Sequence, residues 1–257
     1  MLFDTHCHLT HPPLFHRLPE ILAEARTCGV SYFLSAAADT DDWENLIALA
    51  AQPTHQNDIY IALGLHPWFI DRLPENVFNR LDQVLQQQPQ ALVGEIGLDF
   101  HRAADEISQR QQQFVFETQL DLAKTHRRAA VIHNVKSGVA CLASLRRTNF
   151  TFGGFVHAFS GSTEEAHQWI KLGFKIGIGS LLLNPNTKKV KQLASRLPLD
   201  DMVLETDAPY MPPTPHAPNH PKNTRQIAEI IAELRGIDWQ TVAEVSTRNA
   251  LSVITNR

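Results

Sequence analysis

Short apolar segments rich in β-branched and aromatic residues recur along the chain at 2–6, 30–36, 59–64, 91–96, 129–133, 153–157, 174–179 and 202–206. Most are hydrophobic at nearly every position rather than at every second one. That is the pattern of parallel strands covered on both faces. Between them the spacing turns helical. Leu18, Ile21, Leu22 and Ala25 fall at i, i+3, i+4 and i+7 and form one apolar stripe, which Cys28-Gly29 closes. Thr40-Asp41-Asp42 reads as the capped start of a helix over 43–51. Helices are expected over 73–87 and 106–126, and Ser162 with Glu165 makes a capping box for one ending near Gly173. Others are expected over 185–197, along the stripe Ile227, Ile230, Ile231 and Leu234 as far as Gly236, and over 238–254. Strand segments alternating in this way with helices predict an α/β fold of the (β/α)8, or TIM-barrel, class. No linker, repeat or low-complexity run divides the chain, so residues 1–257 are expected to form one domain. The proline-rich stretch 209–221, with His216 and His220, follows the last strand and reads as a loop covering the site.

Composition narrows the function. At 257 residues and 43% hydrophobic, the chain suits one such barrel. A net charge of -4 argues against a broad basic nucleic-acid face, so any such contact has to be local. No apolar run approaches the roughly 20 residues of a membrane span. The start, Met1-Leu2-Phe3-Asp4, lacks the basic region and long apolar run of a signal peptide. The three cysteines, Cys7, Cys28 and Cys141, contain no Cys-x-x-Cys and point to a reducing cytoplasm. A monomer is expected.

In this class of barrel the reactive side chains sit at the C-terminal ends of the strands. The first segment ends in His6, with His8 beyond it on the same face if the chain is extended. The fourth ends at Glu95, with Asp99 after it. The fifth ends in His133, the sixth in His157, and the eighth runs to Asp207. Singly, each has a structural explanation: a surface histidine pair, a hydrogen-bonded core histidine at 133, an ion-paired Glu95, a loop-capping Asp207. Together, four histidines and two carboxylates at one mouth have few structural uses, because an unpaired buried carboxylate is costly. Metal ligation is the better reading. Six donors exceed the roughly three that a catalytic zinc takes from protein, so two divalent ions are expected, with Glu95 central enough to bridge them. The mixed nitrogen and oxygen donors leave zinc, magnesium and manganese all open.

Asp4-Thr5-His6-Cys7-His8-Leu9, Gly94-Glu95-Ile96-Gly97-Leu98-Asp99, Ile132-His133, Val156-His157-Ala158-Phe159-Ser160-Gly161-Ser162 and Glu205-Thr206-Asp207-Ala208-Pro209-Tyr210 resemble the motifs of the TatD-related metal-dependent deoxyribonucleases, in the same order. These belong to the barrel amidohydrolase superfamily, and the likeness is strongest to their YjjV-type branch. The resemblance implies one ion on His6, His8, Glu95 and Asp207, and a second on Glu95, His133 and His157. It implies phosphodiester hydrolysis of DNA, from single strands or 3′ ends, as a 3′-to-5′ exonuclease. It also matches His66, in Gly64-Leu65-His66-Pro67, to a histidine near the substrate phosphate; the residues alone allow a turn histidine equally. Departures fall where substrate is held. Val135, followed by Lys136, stands where many members have arginine, Ala158 replaces a cysteine, and Lys222-Asn223-Thr224 replaces Arg-Asn-Glu-Pro.

The expected catalytic residues are Asp207, which orients or deprotonates the attacking water, and Glu95. Asp99 reads either as the orienter of a histidine ligand or as a cap for the turn before His101. Glu205 reads as a supporting or a structural residue. Lys136, Lys222 and Arg225 are candidate phosphate contacts, though isolated cations are more often solvated surface, and Trp68 and Phe69 could stack a base or simply pack. An amidase or esterase acting on a small substrate or aminoacyl-tRNA is the alternative, disfavoured because Glu95 stands where several amidohydrolases carry a carboxylated lysine. A metal-binding protein without turnover is a third reading, against which the complete donor set speaks.

Overall fold

A computed structural model describes residues 1–55, 57–215 and 217–255. His216, one of the two histidines in the 209–221 loop, lies outside the described residues. The strands are β1 (Leu2–Cys7), β2 (Val30–Ala36), β3 (Ile59–Leu63), β4 (Leu92–Asp99), β5 (Ala130–Val135), β6 (Gly154–Val156), β7 (Phe174–Ile178) and β8 (Met202–Leu204). They form one eight-stranded sheet in sequence order, every pairing parallel. The helices are α1 (Pro12–Phe15), α2 (Leu18–Thr27), α3 (Asp42–Ala50), α4 (Val77–Gln87), α5 (Glu106–Thr125), α6 (Gly138–Arg147), α7 (Thr163–Ile170), α8 (Lys188–Arg196), α9 (Thr224–Arg235) and α10 (Trp239–Thr255). This is the (β/α)8 barrel that the alternation predicts.

Two of these helices escape the sequence reading. α1 is a single turn. α6 has its binary pattern inverted at two positions: Val139 is apolar yet 85% exposed, and Ser144 is polar yet fully buried, donating to Glu117 Oε1 at 2.6 Å. Elsewhere the ends hold in part: the helices expected from 73 and 185 begin at Val77 and Lys188, and at the start of α3 it is Asp39, just before the expected Thr40-Asp41-Asp42 cap, whose side chain accepts from the Asp41 and Asp42 amides. Ser162 and Glu165 form both halves of the capping box, and Gly29 and Gly236 take left-handed φ just beyond α2 and at the C-cap of α9.

Apolar residues pack on both sides of the sheet. Phe3, Leu34, Leu92, Val131, Phe155 and Val203 join one cluster with Ala250 and Ile254 of α10, which places them inside the barrel with α10 across its floor. The outward faces pack against the helices in the larger cluster. Each large side chain so buried contributes about 1.5–3 kcal/mol. The seam between β8 and β1 is closed largely by side chains. Asp4 accepts from the Thr206 amide at 2.9 Å and the Thr206 hydroxyl at 2.6 Å, and Thr5 donates to the Leu204 carbonyl at 2.9 Å. Just above, the amides of Asp207 and His8 donate to the His6 and Ala208 carbonyls at 2.8 and 2.7 Å. The β1 and β8 ends are thereby locked together beneath the mouth.

Candidate metal centre

Alternation carries β5 and β6 directly to the mouth. His133 lies two residues beyond inward-facing Val131, and His157 two beyond Phe155. β1 and β4 reach it differently. Each has a register irregularity, between Asp4 and Cys7 and between Val93 and Ile96. His6 and Glu95 therefore face the mouth three residues after Phe3 and Leu92. Gly97, at φ +143°, lets β4 press against the histidine-bearing strand; a Cβ there would stand 2.0 Å from the His133 carbonyl oxygen. Asp207 sits at φ 61°, a left-handed turn off β8 that costs a non-glycine residue roughly 1–3 kcal/mol and is held by the seam below it.

Glu95 is the hub. Its Oε2 lies 3.1 Å from His6 Nε2 and 3.6 Å from His8 Nε2. Its Oε1 lies 2.7 Å from His133 Nδ1, 2.7 Å from His157 Nε2 and 3.3 Å from His66 Nε2. Asp207 Oδ1 lies 3.4 Å from His8 Nε2 and 3.7 Å from His6 Nε2. All seven side chains are buried. Among the described residues, three sets of donors converge within 4.8 Å: His6 with His8 and Asp207, His6 with Glu95 and His157, and His66 with Glu95 and His133. The expected residues thus meet at one mouth, with His6 shared between halves and His66 drawn into the cluster.

The donors suit divalent cations. Glu95 and Asp207 together face five imidazoles, and among the described residues both ring nitrogens of the fully buried His6 have no hydrogen-bond partner. Partners behind the rings aim others inward. His8 Nδ1 donates to the Ala36 carbonyl at 2.9 Å, which leaves the Nε2 lone pair facing Glu95 and Asp207. His133 Nε2 donates to Asp99 Oδ2 at 3.3 Å, which turns Nδ1 toward Glu95. His66 is the opposite case. Its Nδ1 accepts from the Trp68 amide at 3.1 Å, so the neutral ring carries its proton on Nε2 and offers a donor rather than a lone pair.

Asp99 combines both expected roles in one carboxylate. Besides His133, it accepts from the amides of His101 and Arg102 at 3.0 and 3.1 Å. Glu205 lies fully buried behind His157, takes the Ala158 amide, and has the space left by Gly177, where a Cβ would come within 2.3 Å of it. Burial pushes its pKa up to about 7.

A cavity of about 400 Å³ opens over the cluster, and its walls include Trp68, Phe69, Val135, Lys136, Leu181, Tyr210 and Met211. Tyr210 and Met211 bring the 209–221 loop over the mouth. Of the three cations singled out in the sequence, Lys136 borders this cavity. Lys222 is paired with Glu24 at 2.7 Å; Arg225 is paired with Glu229 at 2.7 Å and stacked on Trp239. Those two are engaged elsewhere. Gln112 and Gln119 went unnoticed in the sequence. From α5 they hold the His66 loop and the end of β4: Gln119 bonds the Leu65 amide and carbonyl at 2.7 and 3.1 Å, and Gln112 donates to the Pro67 carbonyl at 3.4 Å and accepts from the Asp99 amide at 2.8 Å. The available signal was two polar residues seven apart on the buried face of an amphipathic helix.

The fold and site define a metal-dependent hydrolase on a (β/α)8 barrel. The chain belongs to the TatD related DNase family, whose model matches residues 3–255. It is 31% identical over 254 residues to the uncharacterised metal-dependent hydrolase YjjV of Escherichia coli K12, covering 97% of this chain and 96% of that one. It is 30% identical over 254 residues to the uncharacterised metal-dependent hydrolase YabD of Bacillus subtilis 168, covering 97% of each. The crystal structure of E. coli YjjV superposes with a TM-score of 0.91, over 100% of this chain and 98% of that one. A TatD family hydrolase from Entamoeba histolytica, 19% identical, shares the fold with a TM-score of 0.87, over 100% of this chain and 98% of that one. Among the described residues, no helix is long and apolar enough to cross a membrane.

The electrostatics make loading pH-dependent. Burial works against charge on both Glu95 and His157. Yet His157, His66 and His6 together hold Glu95 well below the usual carboxylate range, and Glu95 in turn lifts His157 to about 10. His8 and His133 are also raised, against burial, by their carboxylate partners. Metal-free protein at pH 7 therefore carries on His157 a proton that an ion has to displace. Divalent ions added to chelator-treated protein are expected to release at least one proton per chain, with affinity rising as pH rises. Calorimetry in two buffers of different ionisation heat measures this; identical heats would contradict it.

Proposed function

We propose that this chain is a phosphodiesterase of the deoxyribonuclease type, which holds two divalent cations and removes nucleotides from 3′ ends of DNA. The observation that carries this reading is Glu95, with one oxygen toward His6 and His8 and the other toward His133 and His157. That division suits a bridging carboxylate, with Asp207 completing the first half. The family name supports DNA as substrate. Zinc, magnesium and manganese all fit the donors. The proposed ligands all belong to one domain of one chain, and the free thiols of Cys7, Cys28 and Cys141 support a reducing, cytoplasmic setting.

When bound, the cations supply Lewis-acid polarisation of the phosphoryl oxygens and lower the pKa of a coordinated water to about 7. The side chains do the rest. Burial opposes charge on Asp207, but hydrogen bonding from His8 and the nearby His157 and His6 keep it ionised. Its side chain, 12% exposed, is the most open of the donors and accepts the proton of the attacking water. The water oxygen bonds to phosphorus, the bond from phosphorus to O3′ of the preceding nucleotide breaks, and that oxygen leaves as a hydroxyl on taking up the proton that Asp207 received. A nucleoside 5′-monophosphate departs. His66 Nε2–H donates to a phosphoryl oxygen, and Lys136 adds a positive charge at the cavity wall.

The test is incubation of metal-loaded protein with 5′-labelled single-stranded DNA and with carboxylic ester and amide substrates. Stepwise shortening from the 3′ end is expected. Cleavage of the esters or amides with intact DNA would overturn the nuclease reading in favour of an amidohydrolase activity.

A further inference from the structure

Trp68 is not among the ligands, yet it is tied to them. Its indole N–H donates to Asp99 Oδ2 at 2.6 Å, the oxygen that also takes the His133 Nε2 proton at 3.3 Å. Its backbone amide donates to His66 Nδ1 at 3.1 Å and so fixes that tautomer. The guanidinium of Arg102 stacks on the ring 3.8 Å from its centroid, and the Arg102 amide is held by the other oxygen of Asp99. Arg102 does not line the cavity, whereas Trp68 does, and Trp68 remains 38% exposed. A large apolar ring, backed by a cation, locked by its N–H and still open to a ligand cavity is a platform for a planar group. Phe69 and Val135 continue the same apolar lining.

We propose that Trp68 reads the substrate by stacking on the base of the nucleotide being released, and that through Asp99 it also positions His133. This rests on the phosphodiesterase reading above. Stacking gives selectivity for a substrate with a planar aromatic group beside the scissile phosphate, without selecting which base, because every base presents a π-face. The indole hydrogen bond makes the same residue a positioning residue for the His133 side of the metal site.

Three measurements separate these claims. The first compares kcat/KM on an oligonucleotide ending in thymidine and on the same oligonucleotide ending in an abasic residue. The wild-type protein is expected to prefer the base-bearing end by about 5- to 150-fold, the range set by stacking of ~1–3 kcal/mol. W68A is expected to lose that ratio and W68F to retain most of it. An unchanged ratio in W68A overturns the stacking role. The second measures metal binding by calorimetry. W68F, lacking the N–H, is expected to bind one ion about 10- to 100-fold more weakly; wild-type affinity overturns the positioning role. The third titrates dTMP and 2-deoxyribose 5-phosphate against intrinsic fluorescence. Saturable quenching by dTMP alone, absent in W68F, supports stacking even if no oligonucleotide is cleaved, an outcome that would sink the nuclease reading instead. Equal responses to both probes, or quenching that survives in W68F, overturn stacking.

Discussion

Glu95→Gln is expected to lower kcat/KM by more than about 1,000-fold while the barrel remains folded. The substitution is nearly isosteric, so the packing between β3 and β5 survives. What disappears is the negative charge against which five imidazoles are arranged, at 2.7–3.6 Å. An amide presents one oxygen where the carboxylate presents two, and its NH₂ repels a cation. On the two-ion reading both halves of the centre lose their shared ligand, and the electrostatic stabilisation lost is several kcal/mol. Raising the metal concentration is not expected to restore turnover. Steady-state rates, with circular dichroism to check the fold, decide the matter; more than a tenth of wild-type activity in E95Q would remove Glu95 from its central role.

Asp207→Asn tests the opposite edge of the site. Asparagine tolerates the left-handed backbone that Asp207 adopts at φ 61°, so the turn and the β1–β8 seam should persist. On the mechanism proposed above, the proton acceptor is gone. A positioned base contributes about 10²- to 10⁴-fold, and the loss is expected in kcat rather than in KM. Because His8, His157 and His6 offset burial and hold Asp207 below the usual carboxylate range, it is ionised throughout neutral pH. Wild-type activity attributable to this group should fail only as pH drops through that lowered value. Single-turnover rates of the metal-saturated wild type and D207N across pH measure both points; an unaltered kcat in D207N would exclude Asp207 as the base.

Much of this was legible in the sequence because parallel strands buried on both faces are near-continuously apolar. The polar residues that end them stand out for the same reason. His133 and His157 follow from alternation alone. His6 and Glu95 do not, since β1 and β4 break register before the mouth, and strict alternation from Phe3 or Leu92 would point them outward. Their positions at the ends of apolar segments, and their motifs, single them out where strict alternation does not. The division of labour between His66 and its neighbours was invisible, because it depends on which ring nitrogen the Trp68 amide occupies. Lys222 is engaged by Glu24, far away in sequence, and Arg225 by Trp239 of another helix, but the Arg225–Glu229 pair, four residues apart on α9, is legible in the sequence. α6 was hidden by an exposed Val139 and a buried Ser144, and Gln112 and Gln119 by a helix rich in glutamine at other positions.

The most direct test of the metal centre is the number of ions the folded chain holds. Chelator-treated protein, titrated with zinc or manganese and dialysed, should retain two per chain by elemental analysis, and E95Q should hold neither tightly. A wild-type chain that remains folded and retains no divalent ion would contradict the account at its root.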